Sequence, residues 1–264
     1  MRGPLQLGAL LRISEHCNEK YLHKIFRDGI YGISIGAIIG VFVAFGFSID
    51  ELHMMLSELS QIQNILEPIR LDSVIGLHAN YGIEVGEKMH TFLIDKFSQK
   101  DLHLPSLRIS EALVPLHIIA TDLTNTKPVI FGGNTYVWDA LRASFALPFV
   151  FTPHIIGSTT YVDGAVLCTD ISTAVEDPTN TLFLLCSQLN KTDYFSRVFS
   201  VHSVRGIKKI LKKYPQNTCC LEESDTPYFY FWNISETFQA LIDRGYECMN
   251  DFCTKCTSQE FSEH

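Results

Sequence analysis

"YGISIGAIIG", residues 31–40, carries two incompatible readings. Gly32-x-Ser34-x-Gly36 is the spacing of a hydrolase nucleophile turn, in which a serine sits on a sharp bend between a strand and a helix. Glycines two before and two after the serine let the backbone turn without side-chain collision, and the following helix aims its first amides at the site. On that reading Tyr31–Ile33 end a strand, Ser34 is on the turn, and Ile35–Phe45 form a buried helix. The same stretch lies in a run without charge from Gly29 to Ile49, long enough to cross a bilayer. Within it Gly32, Gly36, Gly40 and Ala44 recur at the spacing that lets membrane helices touch. Two features oppose a span: its internal glycines weaken a helix, and no Lys or Arg cluster marks a cytoplasmic end. Taken alone, the stretch leaves both readings open.

Composition narrows the field. With 264 residues, 46% hydrophobic and 19% charged, the chain has the makings of one sizeable core, so residues 1–264 are expected to form a single domain. The net charge is −8, which leaves no cationic excess to displace phosphate counterions, so nucleic acid is not expected as a partner. The one basic cluster, Arg205 to Pro215, reads first as a solvated helix face and second as a contact for anionic headgroups. No secretory signal precedes the eight cysteines, so free thiols in a reducing, cytoplasmic setting are expected. Cys253-x-x-Cys256 lacks a second pair at similar spacing; neither a metal nor a cofactor is expected.

Along the chain, residues 3–26 read as one helix and Ser48 as the cap of another, with Glu51 completing a capping box. Residues 82–99 read as an amphipathic helix. Pro115–Asn125, the stretch before Asp163, and Asn180–Leu189 read as strands, and 235–255 as a final helix. Alternation of helices and strands predicts an α/β fold with a largely parallel sheet.

A second stretch weighs against the membrane reading. In "YVWDALRASFALPFVFTPHIIGSTTYVDGAV", residues 136–166, Asp163-Gly164-Ala165 follows a β-like run. An aspartate ending a strand can be presented at the same sheet edge as Ser34 and could accept its proton directly; by itself the pair is also an ordinary Asp-Gly turn. Together the pieces resemble the patatin-like phospholipase family. Gly32-Ile33-Ser34-Ile35-Gly36 matches its nucleophile turn, Ala140, Arg142, Ala143, Ser144, Pro148, Phe151 and Pro153 match its A-x-R-A-S-x-x-x-P-x-x-F-x-P segment, and Asp163-Gly164-Ala165 matches its acidic motif.

The resemblance implies a three-layer α/β fold with a mostly parallel central sheet flanked by helices. It implies a lipid acyl hydrolase working through a Ser34–Asp163 dyad and an acyl-enzyme, on a phospholipid or other acyl-lipid substrate at a membrane surface. The charge-free run then becomes a core helix. The family's glycine-rich oxyanion loop is represented only by Arg2-Gly3, with the preceding glycines and first strand missing, and Pro4 has no amide to offer. A start point upstream of Met1, a catalytically impaired lipid-binding relative, or weak activity carried by Gly3 and a neighbouring amide would each account for that.

Other residues have plainer readings. His154 invites a Ser–His–Asp triad, but the chain order argues against one, and His202 and His264 sit in no obvious site turn. Arg142 is a phosphate contact, a structural ion pair or a helix-surface residue, Asp122 shapes the turn after its strand, and the aromatics of Thr226–Asn233 are either a lipid-facing edge or a buried strand.

Overall fold

The computed structural model describes residues 2–61, 81–187, 194–222 and 235–260. Helix α1 (Gly3–Cys17) carries Pro4 in its first turn, where a missing amide costs no hydrogen bond. It stops at Cys17, short of the expected residue 26. Asn18 turns left-handed (φ 47°), and the amides of Asn18 and Glu19 close back on Glu15 and Ser14. Only a short 3-10 segment, Leu22–Lys24, follows. Strand β1 (Ile30–Ile33) and helix α2 (Ile35–Ala44) meet at Ser34, and α3 (Ile49–Gln61) begins just after Ser48. The expected helix over 82–99 is a strand, β2 (Gly82–Glu84), then α4 (Glu87–Ser98), parted by left-handed Gly86. Then come β3 (Leu116–Asp122), β4 (Lys127–Phe131), α5 (Val137–Ser144), β5 (Phe149–Phe151), β6 (His154–Ile156) and β7 (Thr159–Asp163). The chain continues through β8 (Phe183–Ser187), α6 (Tyr194–Lys213), β9 (Thr218–Glu222) and α7 (Ser235–Glu260).

These elements fall into two compact units. The first draws on residues 1–20, 49–61 and 169–264. In it α1 and α7 approach so closely that a β-carbon on Gly8 would overlap the Ile242 carbonyl, and one on Gly245 the Leu5 carbonyl. Strands β8 and β9 pair in parallel, Phe183 beside Thr218 through Ser187 beside Glu222. They are joined by α6, as parallel neighbours require a crossover.

The second unit, residues 21–48 and 62–168, holds a five-stranded sheet. Only β1–β3 is parallel; β3–β4, β3–β7 and β6–β7 are antiparallel. The sheet is therefore mixed, not the mostly parallel one expected. The cause is connection length: β3 reaches β4 through residues 123–126, and β6 reaches β7 through Gly157 and Ser158, loops too short for a parallel return. The register carries a further consequence. Ile118 and Ile119 pair with β1 and β4 at once, while Ala120 to Asp122 pair with β4 and β7 at once. So β1 and β7 share one edge of β3, running toward each other, with Ile33 beside Ile119 and Asp163 beside Ala120.

Against this sheet packs α2, its residues Ala37–Ala44 all buried. Gly40 allows the approach: a β-carbon there would lie 3.0 Å from the Ile30 Cγ2 methyl. Phe42, Phe47 and Phe97 form an aromatic cluster with centroids 4.5–5.3 Å apart, and burying each ring is worth about 2–3 kcal/mol. The charge-free run is thus a ten-residue core helix with turns at both ends, and no helix among the described residues is long and apolar enough to cross a membrane.

Candidate active site

Ser34 occupies the bend between β1 and α2 with φ 56° and ψ −125°, a conformation a side-chain-bearing residue rarely takes. Strain of that kind persists only where the surroundings enforce it. The enforcement is visible. A β-carbon on Gly32 would sit 2.5 Å from the Ala37 Cα and 2.8 Å from both the Ala37 nitrogen and the Gly36 carbonyl oxygen, so α2 folds directly over the strand end. The Ser34 carbonyl accepts from the amides of Ala37 and Ile38 at 3.0 and 3.3 Å, starting the helix. The Ser34 amide donates to Ser144 Oγ at 2.9 Å. The Ser144 hydroxyl in turn donates to the Ile119 carbonyl at 2.7 Å, and Ser144 is fully buried. A serine at the end of α5 thus ties the bend to the central strand.

Asp163 arrives from the opposite direction along the same edge of β3. Its amide donates to the Ala146 carbonyl at 2.9 Å, and its Oδ1 accepts from the Ala165 amide at 2.9 Å. Gly164 makes the closing turn possible: a β-carbon there would lie 2.5 Å from the Ile119 oxygen and 3.1 Å from Ile33 Cγ2. The carboxylate is 1% exposed. Burial pushes its pKa up to about 6, while hydrogen bonds from the Ser34 side chain and the Ala165 amide pull the other way. Ser34, Gly32, Gly36, Asp163, Gly164 and Ala165 therefore converge on the Ile119–Ala120 edge. Arg2 and Gly3 belong to the first unit, where Arg2 precedes α1 and its carbonyl accepts from the Leu5 and Gln6 amides.

The arrangement matches a family. A family model described as patatin-like phospholipase matches residues 1–170. The chain belongs to the patatin-like phospholipase family. Among curated proteins it is 28% identical over 164 residues to the uncharacterized protein YqhO of Bacillus subtilis, covering 52% of this chain and 53% of the relative. It is 24% identical over 165 residues to the uncharacterized protein R571 of Acanthamoeba polyphaga mimivirus, covering 60% of this chain and 52% of the relative. The chain thus spans about half the length of the curated relatives it matches. Among solved structures it superposes on VipD from Legionella pneumophila with a TM-score of 0.52 at 11% identity, covering 96% of this chain and 65% of that one. At that identity the likeness concerns the fold alone. It agrees with a mixed α/β patatin architecture.

The remaining candidates of this patatin-like chain resolve individually. His154 pairs with Asp139 at 3.0 Å, not with Ser34, and burial lowers its pKa against the pull of that carboxylate. Arg142 is 3% exposed and spends its guanidinium on the carbonyls of Val85 and Thr152 and the Thr152 hydroxyl, so it braces the β2–β5 region. Asp122 accepts from the Asn125 amide and side chain at 2.8 Å, which shapes the turn as expected. Thr226–Asn233 and His264 lie outside the described residues, as does the His202 side chain. The sequence reading missed Ser144 as a brace. Its only trace in the sequence is a lone small polar residue within "RASFALPF", a motif position with no local sign of its contacts.

Proposed function

We propose that this chain hydrolyses carboxylic esters of acyl lipids at a membrane surface, with Ser34 as nucleophile and Asp163 as general base. The observation that carries the reading is the meeting, on one edge of β3, of a serine on a strained turn and a buried carboxylate whose pKa is raised to about 6. A carboxylate at its ordinary pKa is a weak base toward a hydroxyl; desolvation makes it a better one. Ser34 Oγ attacks the acyl carbonyl carbon as Asp163 takes its proton. The tetrahedral oxyanion faces the Ile35 amide, the residue after the nucleophile, at the N-terminus of α2. Collapse expels the alcohol, which takes the proton from Asp163 and leaves the acyl group on Ser34. Water then repeats the sequence and frees the fatty acid. A second reading, a lipid-binding relative with little turnover, is favoured by one feature: Pro4 follows Arg2-Gly3 with no amide to donate.

The test is labelling with an alkyl fluorophosphonate, mapping the adduct by mass. We expect Ser34 to carry it. Because the base must be ionised, the labelling rate should rise with pH and level off above about 6. A folded chain with no adduct on Ser34 would end the hydrolase reading and leave the lipid-binding one.

Ser144 supplies an independent check. Ser144→Ala leaves the Ser34 amide and the Ile119 carbonyl without that partner, so the bend loosens but the substrate surface is untouched. We expect kcat to fall about 10- to 100-fold with KM nearly constant and the pH midpoint unmoved. Steady-state kinetics on a soluble ester distinguish this from loss of binding; a change in KM alone would contradict the positioning role.

A further inference from the structure

Helix α6 reads YFSRVFSVHSVRGIKKILKK, with six basic residues and no acidic one, in a chain whose net charge is −8. Its rotation is fixed. A β-carbon on Gly206 would overlap the Thr169 carbonyl, and Ile207 and Ile210 are 7% and 1% exposed. The helix therefore lies with Gly206, Ile207 and Ile210 against its own unit. Arg205, Lys208, Lys209 and Lys212 follow at spacings of three, four and seven, which puts them together on the other face. All four are exposed, and none has an ion-pair partner among the described residues. They line, with Val204, a surface hollow of about 550 Å³. The chain has an acidic excess, yet no carboxylate among the described residues pairs with the stripe.

From this we infer that the Arg205–Lys208–Lys209–Lys212 face of α6 docks the protein on an anionic phospholipid bilayer. A flat, multivalent anionic surface answers a rigid row of cations presented on a helix, and the ammonium and guanidinium groups need only reach the headgroup phosphates and carboxylates. The inference rests on the lipid-hydrolase reading for its biological sense, but not for its test.

The experiment is co-sedimentation of the full chain, in a Ser34→Ala background to prevent turnover, with phosphatidylcholine vesicles containing or lacking one-third phosphatidylserine. Binding is expected only to the anionic vesicles and should weaken as salt shortens the screening length. A quadruple variant, Arg205→Gln with Lys208→Gln, Lys209→Gln and Lys212→Gln, changes only exposed side chains. It should bind at least about 100-fold more weakly, since each surface cation contributes roughly fivefold. With Ser34 restored, that variant should hydrolyse a soluble monomeric ester as fast as the parent. Equal vesicle binding by parent and variant would overturn the inference, as would binding to neutral vesicles alone. Tighter binding of single-stranded RNA, lost in the variant, would reassign the face. If the parent fails to cleave any ester yet shows the anionic vesicle dependence, the hydrolase reading falls and the docking surface stands.

Discussion

Asp163→Asn is expected to cut turnover by about 10²- to 10⁴-fold and to make the protein more stable. The activity half follows from the proposed chemistry. An amide cannot take the Ser34 proton, and loss of a positioned general base costs about 10²- to 10⁴-fold; Ser34→Ala, which removes the nucleophile itself, should fall to background. The stability half follows from burial. The folded pKa of Asp163 is raised from 3.8 to about 6, so between those values the native state holds a proton the unfolded chain has released. Native binding of more protons means stability falls as pH rises through that window. Above about pH 6 the whole penalty is present, about two pKa units, or on the order of 3 kcal/mol. Asparagine keeps an oxygen for the Ala165 amide and carries no charge to desolvate. Urea titrations should therefore show Asp163→Asn more stable by up to about 3 kcal/mol near pH 8, the gap closing below about pH 4. A variant less stable than the parent at both pH values would mean that the carboxylate contributes to folding and is not a buried charge tolerated for chemistry.

Ser34 and Asp163 are legible in the sequence while much around them is not. The bends at Ser34 and Asp163 need glycine at 32 and 164, where a β-carbon would meet backbone, and Gly32, Gly36 and Gly164 are visible as letters at fixed spacings. The sheet was legible where it is buried. Strand β3 has a continuous apolar run and is legible; β4, with Pro128 and mostly exposed residues, and the three-residue β6 are not. Those two strands supply antiparallel partners to β3 and β7, and the direction in which β7 meets β3 is set by pairing across the fold that no local pattern shows. Ser144 was read as a motif position only. Its role depends on the Ser34 amide and the Ile119 carbonyl, 110 and 25 residues away, and no local pattern encodes that meeting. The glycine stripe at 32, 36 and 40 suggested helix–helix contact, yet Gly32 accommodates the first turn of α2 and Gly40 accommodates Ile30.

The helix contact that does need glycine lies elsewhere, between α1 and α7. Gly8→Ala should destabilise the protein by about 3 kcal/mol or more, the upper end of what overpacking costs. The added methyl would overlap the Ile242 carbonyl and come within 2.7 Å of the Tyr246 nitrogen. Those atoms are helix backbone, held by their own hydrogen bonds, so no rotamer change relieves the clash and α1 must move away from α7. A shift of that size opens gaps beside Leu5, Leu7 and Ile242, now 0%, 0% and 3% exposed. Gly245→Ala makes the reciprocal clash with the Leu5 carbonyl and should cost a similar amount. The double variant gives the sharper test. Once one methyl has forced the helices apart, the second meets less resistance, so the combined loss should fall short of the sum by about 1 kcal/mol or more, within the range for contacting residues. Denaturant titrations of both singles and the double measure this directly. Single variants within about 0.5 kcal/mol of the parent, the range of ordinary surface substitutions, would mean that α1 and α7 do not cross at Gly8 and Gly245.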